Sequence, residues 1–181
     1  MLLLLTLCTY LIIVNLIRLD QGVGVLIEEL ESWNLINDTM IIFSSDNGIP
    51  FPSGRTNFYD PGVHQPLMIS VPKDHYDSKN YVGQRVETTL VSLLDILPTI
   101  LDWHQVELPN YFILKKNVSY TGTSLLKLPN DPNRLVFGSH NFHEITMSYP
   151  MRYVRSRRYF LLASIVPASK YYYILIKYQI F

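Results

Sequence analysis

The chain has 181 residues, 48% hydrophobic and 17% charged, enough apolar material for a packed core and too much for a disordered segment. Fifteen basic and fifteen acidic residues cancel, so no global field draws the chain to nucleic acid or to an anionic membrane surface. A single cysteine, Cys8, excludes an internal disulfide framework and any CxxC zinc site.

Residues 1–17 are almost wholly apolar and stop at Arg18. The stretch suits the hydrophobic region of a signal peptide and is marginal for a membrane span, which takes roughly 20 residues. No basic segment precedes it and no small-x-small cleavage site is obvious, so a signal or anchor, a buried core segment and a misplaced gene start all stay open. From Asp20 to Leu35, the residues Val23, Leu26, Ile27, Leu30 and Trp33 recur at helical spacing, with Glu28, Glu29 and Glu31 on the other face. The spacing predicts an amphipathic helix packed on a sheet through Val23, Leu26, Ile27 and Leu30. Turn residues follow from Asn34 to Thr39. The apolar run from Met40 to Ser44 then reads as an interior strand buried on both faces, as in a parallel α/β sheet.

A second apolar run begins at Pro66, ends at Pro72 and reads as another buried strand. In residues 86–103, Val86, Leu90, Leu93, Leu94, Leu97 and Leu101 fall at helical spacing, and Pro98 predicts that a helix breaks, kinks or restarts there. Residues 108–133, rich in Pro, Asn and Lys, are expected to be mostly loop. A short strand from Leu135 to Gly138 leads into the polar cluster Ser139-His140-Asn141-Phe142-His143-Glu144. The final apolar stretch is β-prone and free of proline, and would aggregate if exposed. No repeat or linker marks a domain boundary.

Chemistry concentrates at Ser44-Ser45-Asp46-Asn47-Gly48, where the first strand should end. Ligands of open α/β sheets bind beyond the carboxyl ends of strands. A carboxylate beside an amide oxygen offers hard donors for Ca²⁺ or Mg²⁺. The same residues also make an ordinary turn.

The surroundings of that motif resemble the sulfatase family. Arg18, Asp20, Val23 and Gly24 match its helix pattern, and Ser45-Asp46-Asn47-Gly48, Gly54-Arg55 and Pro66-Leu67-Met68-Ile69 follow in the family's order. VSLLDILPTILDW and TGTSLL extend the likeness, and GIPFPSGRTN with HEITMSYPMR is similar to the sulfamidase branch. The resemblance implies an α/β, alkaline-phosphatase-like domain with a central, mostly parallel sheet flanked by helices. It occupies residues 18–160, between the apolar segment 1–17 and a divergent apolar tail at 161–181. It implies Asp46 and Asn47 as Ca²⁺ ligands and Arg55 as the cation that holds a sulfate or sulfamate, for which a planar guanidinium fork is suited. His140, His143 and Glu144 match a segment that helps form the substrate pocket, or are surface polar residues of a loop. The partner implied is the N-sulfoglucosamine end of a sulfated glycosaminoglycan of the heparan type. A lysosomal location and a homodimer are implied as well. Asn37 and Asn117 begin N-glycosylation sequons, relevant if the chain enters the secretory pathway.

Family members use a formylglycine made from the first residue of a C/S-x-P-x-R sequence. Cys8 has no proline or arginine in register, and the reading expects no catalytic nucleophile in this chain. The paired aspartates that complete the family's Ca²⁺ shell are also not matched. Both ends are expected to be truncation or gene-model artefacts, and the isolated chain to be inactive. The alternatives are a non-catalytic glycan- or anion-binding pseudoenzyme, and a hydrolase of the arylsulfatase type.

Overall fold

A computed structural model describes residues 2–72, 89–107, 122–127, 131, 133–143, 147–165 and 173–177. The chain divides into two compact units. The first comprises Met1–Ser45 and Pro66–Gln84, the second Asp46–Gln65 and Arg85–Phe181.

The first unit holds one long helix and one strand pair. Helix α1 spans Leu2–Ser32, so the apolar leader and the amphipathic stretch form one continuous element. It ends in a Schellman arrangement. Asn34 takes a left-handed φ of 57°, its N–H donates to the Glu31 carbonyl, and the Leu35 N–H reaches back to Leu30. The expected packing of this helix on a sheet is not found: Leu26 is 66% exposed, and α1 touches only the single 3₁₀ turn Ile36–Asp38 among the described elements. The neighbouring strands are four residues each, too short to cover a helix of this length. The stretch Thr9–Ser32 is long and apolar enough to cross a membrane.

Strand β1 (Ile41–Ser44) pairs with β2 (Leu67–Ser70), both where the apolar runs placed them. Their pairing is antiparallel, with Ile41 opposite Ser70 and Ser44 opposite Leu67, and the Ser44 hydroxyl donates to the Pro66 carbonyl at 3.0 Å. A parallel, doubly covered β1 was the expectation. The chain instead leaves β1 and returns to its side in the opposite direction, which needs no crossover helix. Residues 41–43 are accordingly half-buried.

The second unit is built on a four-stranded antiparallel sheet in the order β3-β4-β5-β6. The strands are Val136–His143, Met147–Arg155, Tyr159–Ser164 and Tyr173–Lys177. Period-two alternation sends Met151, Tyr153, Phe160 and Leu162 to one face, where they form the buried core of this unit. The polar cluster expected to be loop is in fact the continuation of β3. It stays in the sheet because β4 pairs with it as far as His143 opposite Met147, with a register shift between His140 and Phe142.

Helix α3 (Ile96–Trp103) follows a single 3₁₀ turn, Leu93–Asp95, so of the break, kink or restart expected at Pro98 it is the restart that is found. Pro98 sits in its first turn, where a missing N–H forfeits no intrahelical bond. The fully buried positions here are polar: Asp95 and Thr99 are inside, while Leu97 and Leu101 are half-buried and Leu93 and Leu94, in the turn before the helix, are 59% and 46% exposed. The polar residues are inside because each is satisfied there. Asp95 accepts from the Ser92 and Thr123 N–H groups at 2.7 and 2.8 Å. It also accepts from Arg134 Nη2 at 2.6 and 2.7 Å. The Thr99 hydroxyl donates to the Asp95 carbonyl at 2.6 Å and accepts from Leu125 N–H at 2.9 Å. At the far end Asp102 takes the Ser124 hydroxyl at 2.7 Å and pairs with Lys127. Burial pushes the Asp102 carboxyl up, but the bonds from Lys127 and Ser124 and the Lys127 charge outweigh it and leave it lowered.

Thr99→Val keeps the shape and removes both bonds of a fully buried hydroxyl, leaving Leu125 N–H without that acceptor. The expected loss is about 1–3 kcal/mol, the cost of an unsatisfied buried group, read as a lowered urea midpoint at unchanged slope.

Candidate active-site loop

The segment between β1 and β2, Asp46–Gln65, belongs to the second unit and carries the motif residues. Its fold is set by its own backbone. The Arg55 N–H donates to the Ile49 carbonyl at 2.8 Å, and Gly54 N–H to Phe51 at 2.9 Å, closing residues 49–55 into a ring. Only glycine fits at 54, since a Cβ there would meet the Ile49 carbonyl oxygen at 2.2 Å. Ser53 and Thr56 hold positive φ values of 65° and 73°, costly for residues with a Cβ and kept by the surrounding bonds. Further on, Asn57 N–H donates to Gly54, and the short helix α2 (Asp60–Val63) turns the chain toward β2.

Two contacts fasten this loop to the sheet. The Phe58 ring stacks on Tyr153 with centroids 5.1 Å apart and planes 11° from parallel. It fits because its neighbour on β3 is Gly138, paired across from Tyr153; a Cβ on Gly138 would lie 2.7 Å from the Phe58 ring. The second contact is the ion pair from Asp60 to Arg155, both side chains mostly shielded from water. Burial works against the Arg155 charge, yet the bonds to Asp60 and to the Tyr153 hydroxyl hold its pKa above the ordinary value. The Tyr153 phenol is pushed up by burial, with Arg155 pulling the other way. Sequence reasoning passed over Phe58, Asp60, Gly138, Tyr153 and Arg155. Their only local signal is the Tyr-Asp-Pro-Gly turn beginning at Tyr59, since every partner lies on strands about ninety residues later.

Of the residues singled out by sequence, Asp46, Asn47 and Arg55 are carried on this one loop. Asp46 is exposed, Asn47 half-buried, and Arg55 exposed with no described ion pair. The bond from Arg55 N–H to the Ile49 carbonyl folds the segment 49–55 back on itself. His140 lies against the same loop. Its ring is 6.4 Å from Phe58, edge-on, and 4.9 Å from Tyr149, stacked. Its Nδ1 is buried without a hydrogen-bond partner among the described residues, so a ligand could be reached only through Nε2. His143 ends β3, and Glu144 and Asn117 lie outside the described residues. Asn37 is exposed in the 3₁₀ turn after α1.

Asp46 and Asn47 supply hard oxygen donors of the kind Ca²⁺ takes, and fit part of such a site. A shell of about six to eight oxygens needs more, and no group of three or more His, Cys, Asp or Glu among the described residues completes one. The C/S-x-P-x-R pattern expected to be missing does occur once in its serine form, as Ser148-Tyr149-Pro150-Met151-Arg152. These residues form the middle of β4, and Arg152 donates to Asn141 Oδ1 at 2.9 Å and to the Met151 carbonyl at 2.8 Å. The arginine serves the strand pairing at the β3 irregularity.

The sulfatase family model matches residues 14–106, half of the chain, and the chain belongs to the sulfatase family. Human N-sulphoglucosamine sulphohydrolase is 51% identical over 148 residues, which cover 80% of this chain and 28% of that protein. The ulvan-active sulfatase of Formosa agariphila is 30% identical over 87 residues, covering 48% of this chain and 14% of the enzyme. Among solved structures, that of BT4656 in complex with its substrate D-glucosamine-2-N,6-O-disulfate superposes with a TM-score of 0.62 at 20% identity. It covers 88% of this chain and 32% of the other, and shows the alkaline-phosphatase-like α/β fold. The chain thus spans less than a third of the length of these relatives.

Asp60→Asn removes the countercharge of Arg155 without changing shape. A loss of about 1.5–3 kcal/mol is expected, the range for a hydrogen bond to a charged group. The Asp60→Asn, Arg155→Met double variant should recover part of it in chemical denaturation.

Proposed function

We propose that this chain is part of a sulfohydrolase that acts on N-sulfated glucosamine at the end of heparan-type glycosaminoglycans, in the lysosome and as a homodimer. The observation that carries the reading is the 51% identity to human N-sulphoglucosamine sulphohydrolase across most of the chain. In this reading Asp46 and Asn47 contribute two oxygens to a Ca²⁺ site, and the bound ion supplies positive charge to the anionic sulfur group. Arg55 adds a fork-shaped cation that takes two oxygens of that group at once. His140 contributes through Nε2 at the rim, with His143 and Glu144 on the segment that follows, and Asn37 and Asn117 carry glycans.

Binding the ground state of a sulfamate does not accelerate its hydrolysis. Cleavage at sulfur also needs an activated nucleophile. Cys8 lacks the required pattern, and Ser148 sits within a paired strand, so neither is assigned that role. The 181-residue chain on its own is therefore expected to bind and not to turn over.

The test is to express the chain with a formylglycine-generating enzyme and assay an N-sulfated glucosamine disaccharide and an aryl sulfate, with and without Ca²⁺. Expected are no turnover of either, and Ca²⁺-assisted binding of the N-sulfated sugar that falls at least about tenfold in Asp46→Ala and Arg55→Ala, each equivalent to ~1.4 kcal/mol. Binding indifferent to both substitutions would refute the site. Turnover abolished by Ser148→Ala would instead identify β4 as the source of the nucleophile.

A further inference from the structure

The ring of residues 49–55 presents more than a cation. Ile49, Pro50, Phe51, Pro52 and Ser53 are all exposed, and Phe51 keeps 52% of its surface in water. The half of Phe51 left in water adds nothing to the fold, since removal from water is what stabilises an aromatic side chain. The backbone beneath it is unusually constrained. Pro50 and Pro52 fix φ on either side, the Phe51 carbonyl accepts from Gly54, and the Ile49 carbonyl accepts from Arg55. An aromatic ring on a pre-ordered loop binds a ligand with little further ordering cost.

Phe51 and Arg55 leave the same closed ring of backbone, both exposed, four residues apart. A pyranose has two kinds of surface, a face of axial C–H groups and a rim of polar substituents. The electron-rich face of a phenyl ring attracts the weakly positive C–H groups, while a guanidinium pairs with an anionic substituent on the rim. We propose that Phe51 is the sugar-stacking residue of this site, positioning the glucosamine ring while Arg55 takes its N-sulfate. The proposal rests on the sulfohydrolase reading above and extends it from the anion to the sugar that bears it.

The test uses the 181-residue chain and an N-sulfated glucosamine disaccharide, with the N-acetylated disaccharide for comparison, titrated by NMR in Ca²⁺. Expected are saturation transfer from aromatic protons to the sugar ring, about tenfold weaker binding in Phe51→Ala, and binding within about twofold of the parent in Phe51→Tyr, which keeps the π face. An unchanged melting temperature in Phe51→Ala separates binding from folding. If Phe51→Ala binds the N-sulfated sugar as the parent does, the stacking proposal fails and the sulfohydrolase reading survives. Phe51-dependent binding that ignores N-sulfation would uphold the stacking and defeat that reading. If neither sugar binds, both fall.

Discussion

The contact between Phe58, Tyr153 and the Asp60–Arg155 pair is what the rest of the site depends on. It joins a loop whose described secondary structure is one short helix to the apolar core formed by Met151, Tyr153, Phe160 and Leu162. Tyr153 is buried against Phe160, 5.8 Å away, so the surface that Phe58 meets is itself fixed. The ion pair adds direction that stacking lacks, because the Arg155 guanidinium meets both Asp60 and the Tyr153 hydroxyl. With the loop anchored at residues 58–60, its internal bonds close residues 49–55 into a ring that carries Phe51 and Arg55, with Asp46 and Asn47 just before it.

A second polar assembly does similar work for α3. Asp95, Thr99 and Asp102 face inward and hold residues 123–127 and Arg134 by hydrogen bonds. Such an inner face is tolerable only when each group is paired, since a buried carboxylate without partners would not stay charged. Asp95 meets that condition with two backbone N–H groups and one arginine. Both anchoring devices therefore use an Asp–Arg pair that reaches far along the chain.

That explains which parts of the structure could be read in advance. β1 and β2 were legible because short apolar runs bounded by Pro and turn residues are local signals. The family was legible because its motifs keep their order along the chain. Two readings failed for want of a partner. The polarity of Ser139 to His143 suggests a loop until β4 is there to pair with it. The amphipathic look of residues 20–33 suggests packing that no described element supplies. Pro98 is legible as a restart of the helix, and it stands in the first turn of α3, where proline forfeits no intrahelical bond. The serine form of the sulfatase pattern at Ser148 was overlooked among the strand residues that contain it.

Membership of the sulfatase family and the placement of Asp46, Asn47 and Arg55 on one anchored loop are the two findings from which the functional account is built. The account's central claim is that the loop is a hard-oxygen metal site held in place by the sheet. Paramagnetic broadening of backbone amide signals by Mn²⁺, a stand-in for Ca²⁺ at oxygen ligands, tests it directly. The account predicts that the first amides to broaden are those of residues 45–56, and that Asp46→Ala abolishes this while leaving other signals unchanged. Broadening that begins instead at Glu28, Glu29 and Glu31 of α1, or that survives Asp46→Ala, would contradict it.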